Sequence, residues 1–167
     1  LIDRKPWTQI FYEMCSKYYQ DLENSNNLKN LDYVLISMKW NDDEIKYIKQ
    51  FSDFFIKNSN AEIIFLSKRL QIPDIERSII VNENFDELNL FLNKYKKTYI
   101  KFNNNFKNKV NETDENLVFS DLNKFICEKE ICTFIKDGKF NYIDYSHFSL
   151  DGSKEIVKKF FNSYFEK

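Results

Sequence analysis

Short, almost unbroken apolar runs alternate in this chain with longer stretches in which apolar residues recur at helical spacing. The clearest run is Asp32 to Met38 (DYVLISM), whose β-forming residues predict a parallel strand buried on both faces. Helical spacing follows from Asn41 to Lys57, with Ile45, Ile48, Phe51, Phe54 and Phe55 on one side and Asn41 or Asp42 as a cap for the first free amides. Glu62 to Ser67 (EIIFLS) predicts a second parallel strand, and Pro73 beyond it marks a connecting loop. Between Asn84 and Phe106, the residues Phe85, Leu88, Leu92, Tyr95 and Tyr99 predict a helix whose distal half (IKFNNNFKN) frays or turns into strand. Asn116 to Asp121 (NLVFSD) reads as a third strand. Next come a loop with two cysteines and a short edge strand at Phe140 to Ile143. The chain closes with an amphipathic helix from about Asp151 to Phe165, with Ile156, Val157, Phe160, Phe161 and Tyr164 on its inner face.

Strands alternating with helices imply a layered α/β fold with a mostly parallel sheet. Ligands of such sheets bind beyond the carboxyl ends of the strands. Function is therefore to be sought in the segments that follow Met38, Ser67, Phe119 and Ile143.

Composition narrows the picture. With 167 residues, 43% of them apolar, the chain suffices for one domain with a sizeable core. The net charge of −1, from 25 basic and 26 acidic residues spread along the sequence, leaves no electrostatic footprint for nucleic acid or an anionic membrane. No apolar run approaches the roughly 20 residues that span a bilayer. Leu1 to Trp7 resembles neither a signal peptide nor an initiator sequence, so the chain reads as a piece of something longer. No repeat is visible, and the crowding of Asn, Lys and Ile is compositional bias. Of three cysteines, Cys127 and Cys132 flank a short loop and are either bridged or buried thiols, and Cys15 is left over. A single histidine argues against a structural zinc site of Cys and His.

The sharpest local signal is Asp144-Tyr145-Ser146-His147, just before the last helix. In a turning loop this spacing lets Asp144 accept a hydrogen bond from one imidazole nitrogen, leaving the other free to take a proton from a nucleophile. The plainer alternative is a satisfied surface histidine beside a turn-forming aspartate. Trp7 and Trp40 are likewise either core residues or sugar-stacking faces.

Several blocks together resemble one family. LVFSDL, the loop from Phe125-Ile126-Cys127 to Cys132, Gly138-Lys139-Phe140 and the closing DYSHFSLDG are similar to the end of SGNH domains attached to membrane acyltransferases of family 3, which modify bacterial surface glycans. DYVLISMKW resembles that family's third conserved block, an apolar strand ending in a tryptophan (Trp40), and Cys15 lies where a cysteine often precedes it. The resemblance runs from about Cys15 to Phe165. It implies a three-layer α/β/α sandwich of flavodoxin-like topology, with residues 1–167 as a single SGNH-like domain lacking its first strand.

The chain departs from the family in two ways. Its glycines, Gly138 and Gly152, neighbour no eligible serine, so the Gly-Asp-Ser block that holds the family's nucleophile is missing. It is expected upstream of Leu1 in a parent protein, the alternative being a domain that has lost it. The Gly-x-Asn-Asp block appears as Lys39-Trp40-Asn41-Asp42, which makes Asn41 either an oxyanion donor or a helix cap and brings Trp40 to the substrate side. The resemblance implies acyl transfer through a serine ester with His147 as base and Asp144 as its support, without metal or organic cofactor. The acyl group, acetyl by expectation, would pass to or from a sugar of lipopolysaccharide, capsule or peptidoglycan. The setting would be the periplasmic or extracytoplasmic face of a bacterial inner membrane, beside the parent's integral-membrane acyltransferase domain. A Cys127–Cys132 bridge suits that compartment. The competing readings are a non-catalytic glycan-binding or docking domain on the same scaffold, and an unrelated α/β domain.

Overall fold

A computed structural model of the chain describes residues 16–18, 20–24, 27–70, 85–128, 131–133, 135–136, 139–142 and 147–165. Three of the apolar runs form a parallel sheet: β1 (Tyr33–Ile36), β2 (Glu62–Leu66) and β3 (Leu117–Ser120), in the order β1-β2-β3. Side chains alternate across a strand, so the register sorts them into two faces. Val34, Ile63 and Leu117 line up on one face, as do Ile36, Phe65 and Phe119, while Leu35, Ile64 and Val118 form a row on the other.

Each face carries its own helices. Over the first lie α1 (Ile48–Asn58), entered through a 3-10 turn at Glu44–Tyr47, and the long α2 (Phe85–Thr113). They enclose Trp40, Phe65, Phe106 and Val110, none of which has any exposed surface. The ring of Trp40 lies 4.5 Å from that of Phe106, and its Nε1 donates to the Leu66 carbonyl at 2.8 Å. Truncating such a buried aromatic ordinarily costs about 3–5 kcal/mol. Over the second face lie α3 (Asn123–Ile126) and α4 (Leu150–Phe165), where Ile64, Leu70, Leu92, Phe125, Ile156 and Phe160 are buried together. The expected α/β layering, with a parallel sheet between helices, is therefore the observed one.

The structure corrects four local expectations. The distal half of the predicted 84–106 helix neither frays nor becomes strand. α2 continues to Thr113 because Phe102, Phe106 and Val110, at helical spacing, pack into the first core, and buried Asn103 donates from Nδ2 to the Lys68 carbonyl at 3.1 Å. β1 is not buried on both faces, as Tyr33 and Leu35 are 40% and 45% exposed. Among the described residues β1 pairs only with β2, and an open cavity lies over this part of its α4 face. For the same reason Val157 and Phe161, expected inward, are 53% and 50% exposed, whereas Ile156 and Phe160 of the same apolar band are buried. The predicted strand at 140–143 is instead β7 (Lys139–Phe140), paired antiparallel with β6 (Ile135–Lys136) away from the main sheet, and Ile143 lies outside the described residues. So do Trp7, Cys15, Pro73 and Gly138.

Candidate active site at the strand ends

His147 is delivered by a loop whose base is fastened twice. Tyr142 and Phe148 form an antiparallel bridge with ring centroids 5.0 Å apart, and the Ser149 amide donates to the Asn141 carbonyl at 3.0 Å. Tyr142 is buried and its hydroxyl donates to the Leu70 carbonyl at 3.2 Å. Burial pushes that hydroxyl well above the usual tyrosine range, so it remains a protonated donor.

The residues after the histidine set the start of α4. Ser149 is its N-cap: the carbonyl accepts from the Ser153 amide at 2.8 Å and Oγ from the Gly152 amide at 2.9 Å. Gly152 cannot carry a side chain, because a Cβ there would stand 2.2 Å from the Asn141 carbonyl oxygen. The Ser-x-x-Gly half of the closing signature is thus a clamp that fixes where the loop ends.

His147 is exposed and lines a cavity of about 670 Å³ at the carboxyl ends of β1 and β2, the edge where a parallel sheet binds ligands. Leu35, Met38, Leu66, Val157 and Phe161 give it apolar walls. Its polar lining comes from Ser37, Lys39, Ser67, Lys68, Arg69 and Ser153 beside the imidazole.

A partly buried polar network holds the segment after β2. Ser67 Oγ donates to Asp121 Oδ1 at 3.0 Å and accepts from the Leu122 amide at 2.9 Å. Asp121 Oδ1 also accepts from the amide and the Nδ2 of Asn123, both at 3.0 Å. Asn123 reaches back to the Lys68 carbonyl at 3.0 Å and, through Oδ1, to the Leu70 amide at 2.6 Å. Ser67 is therefore committed to architecture, although it borders the cavity.

The family model of the SGNH domain (fused to AT3 domains) matches residues 2–162. The chain belongs to this SGNH family. Neither the curated proteins nor the solved structures yield a match to it.

Within this SGNH domain the residues singled out in the sequence fall in different places. His147 reaches the cavity, and Asp144 lies outside the described residues. Asn41 does not line the cavity: its Oδ1 accepts from the amides of Asp43 and Glu44 at 2.8 and 3.1 Å, capping the turn into α1. Trp40, expected on the substrate side, has no exposed surface and works as core beneath the strand ends. Cys127 and Cys132 face each other across the short β4 (Cys127–Glu128) and β5 (Ile131–Cys132) pair and are joined in a disulfide. That bridge borders a second cavity of about 260 Å³ and not the one beside His147. Sequence reasoning missed Lys68 and Arg69 as site residues. The one signal that could have found them is their position directly after a parallel strand, since a charged residue in a polar stretch carries no periodicity. Among the described residues, no helix of the SGNH domain is long and apolar enough to cross a membrane.

Proposed function

We propose that this SGNH domain catalyses transfer of an acyl group, acetyl in the first instance, to or from a bacterial surface glycan by way of a serine ester. The observation that carries the reading is the chain's single histidine, held on a fastened loop at the wall of a cavity at the sheet's ligand-binding edge. His147 takes the serine proton as the serine oxygen attacks the acyl carbonyl. The protonated imidazole then gives that proton to the leaving group as the tetrahedral adduct collapses to the serine ester. In the second half, a sugar hydroxyl or water loses its proton to His147 and attacks the ester, and the serine recovers its proton. Asp144 holds the imidazole tautomer and supports its positive charge.

These 167 residues contain no Gly-Asp-Ser, so the nucleophile in this reading comes from a segment outside them. A parallel strand added along the edge of β1 that no described strand occupies would bring its carboxyl end to the cavity, as Leu35, Ser37, Met38 and Lys39 of the β1 region already line it. The whole protein would pair this domain with a membrane AT3 domain, as the family description has it, and act outside the cytoplasm, where the Cys127–Cys132 bridge is at home. Labelling of the parent protein with a fluorophosphonate tests the assignment. The label should map to one serine outside this chain and be lost in His147→Ala; labelling that ignores His147 would refute it. The same lack of Gly-Asp-Ser favours a second reading, a non-catalytic glycan-binding or docking domain, for which no serine would label at all.

A further inference from the structure

Charge is spread evenly along the sequence, 25 basic against 26 acidic residues, but not around the cavity. Its described lining includes Lys39, Lys68 and Arg69 and neither Asp nor Glu. Lys68 and Arg69 are half-buried, and among the described residues no carboxylate pairs with any of the three. Aromatic faces hold the two half-buried cations without neutralising them. Lys68 Nζ stands 5.0 Å from the Phe102 ring centroid and 5.6 Å from that of Tyr99, and Arg69 Cζ lies 5.7 Å from that of Phe148. Asp121 forms no ion pair with them: its Oδ1 accepts from Ser67 and Asn123, and it borders the other cavity.

The backbone that carries these cations is fixed. The Ser67 amide donates to the Ser120 carbonyl at 2.8 Å, Asn103 and Asn123 both grip the Lys68 carbonyl, and Asn123 grips the Leu70 amide. Partly desolvated cations without counter-ions cost free energy unless a ligand supplies the opposite charge. The same cavity is lined by Leu35, Met38, Val157 and Phe161, which suit the apolar face of a sugar ring.

We propose that this cavity selects an anionic glycan, a sugar bearing a carboxylate or a phosphate, with Arg69 and Lys68 receiving the anion and Lys39 at the outer rim. This rests on the acyl-transfer reading only for the ligand being a sugar. A planar guanidinium and an ammonium can each receive either anion, and about 670 Å³ lies within the ordinary range for small-molecule sites.

The test is calorimetric titration of the full-length protein with trigalacturonate, its methyl ester, maltotriose 1-phosphate and maltotriose. At least one anionic probe should bind about tenfold or more tightly than its neutral counterpart, and the better of the two identifies the anion. Arg69→Gln and Lys68→Gln should each remove most of that preference and leave the neutral sugars unchanged. Should either variant fail to fold, Lys39→Gln, at an exposed position, should still weaken the anionic probe by severalfold. Equal affinity for charged and neutral sugars, a preference that survives the substitutions, or no binding of any probe would overturn the proposal. Aryl acetate cleavage on the same samples separates the two readings. Charge preference without cleavage removes the acyl-transfer reading and keeps this one, and cleavage without charge preference does the reverse.

Discussion

The carbonyl oxygen of Asn141 fills the space in which a side chain at Gly152 would begin, 2.2 Å from the ideal Cβ position. The same carbonyl accepts the Ser149 amide, so one peptide group fastens both the loop before α4 and its first turn. Gly152→Ala has no flexible side chain to displace, only backbone. It should destabilise the domain by about 1–3 kcal/mol, the usual cost of overpacking, measured by urea unfolding. Unchanged stability would mean that the loop base gives way easily and cannot be what positions His147.

Ser149 makes a separable contribution. Ser149→Ala removes the oxygen that accepts the Gly152 amide and should cost about 0.5–2 kcal/mol, with Ser149→Asp recovering most of it. Thermal unfolding of the three proteins reads the effect. Equal loss in both variants would show that the hydroxyl matters through something other than capping.

Trp40 tests the distinction between core and ligand face. Trp40→Phe keeps most of the apolar volume but leaves the Leu66 carbonyl without the indole donor. Stability should fall by about 1–3 kcal/mol, while affinity for any sugar probe stays within twofold in folded protein. A large loss of affinity with intact stability would return Trp40 to the substrate side.

The disulfide closes a short loop, with Cys127 and Cys132 only 5 apart in sequence, so its chain-entropy contribution is modest. Reduction or a Cys127→Ser, Cys132→Ser double variant should lower stability by about 2 kcal/mol and leave chemistry at His147 untouched, because the bridge borders a different cavity. Free thiols in protein prepared under oxidising conditions would contradict the pairing.

These outcomes also mark how far the fold was legible in the sequence. β1, β2 and β3 were readable because parallel strands demand compact apolar runs, and α4 because its apolar residues keep helical period. Which of those residues face a core was not. Phe160 and Phe161 look alike in a periodic pattern, yet one is buried and the other walls a cavity, as that depends on what packs alongside. The asparagine run in α2 suggested a break because Asn favours turns, but tertiary burial of Phe102 and Phe106 outweighs that local preference. At the site, DYSHFSLDG was legible as a signature. The reasons for its serine and glycine required the approach of Asn141 from residues that no local pattern connects to α4.

The central claim is that His147 is a catalytic base, and aryl acetate cleavage by the full-length protein tests it most directly. His147→Ala should lower the rate by at least about a thousandfold and Asp144→Asn by a comparable order, while Ser37→Ala, at the cavity but outside any Gly-Asp-Ser block, should retain it. A properly folded wild type without activity, or a His147→Ala protein that still cleaves the ester, would contradict the account.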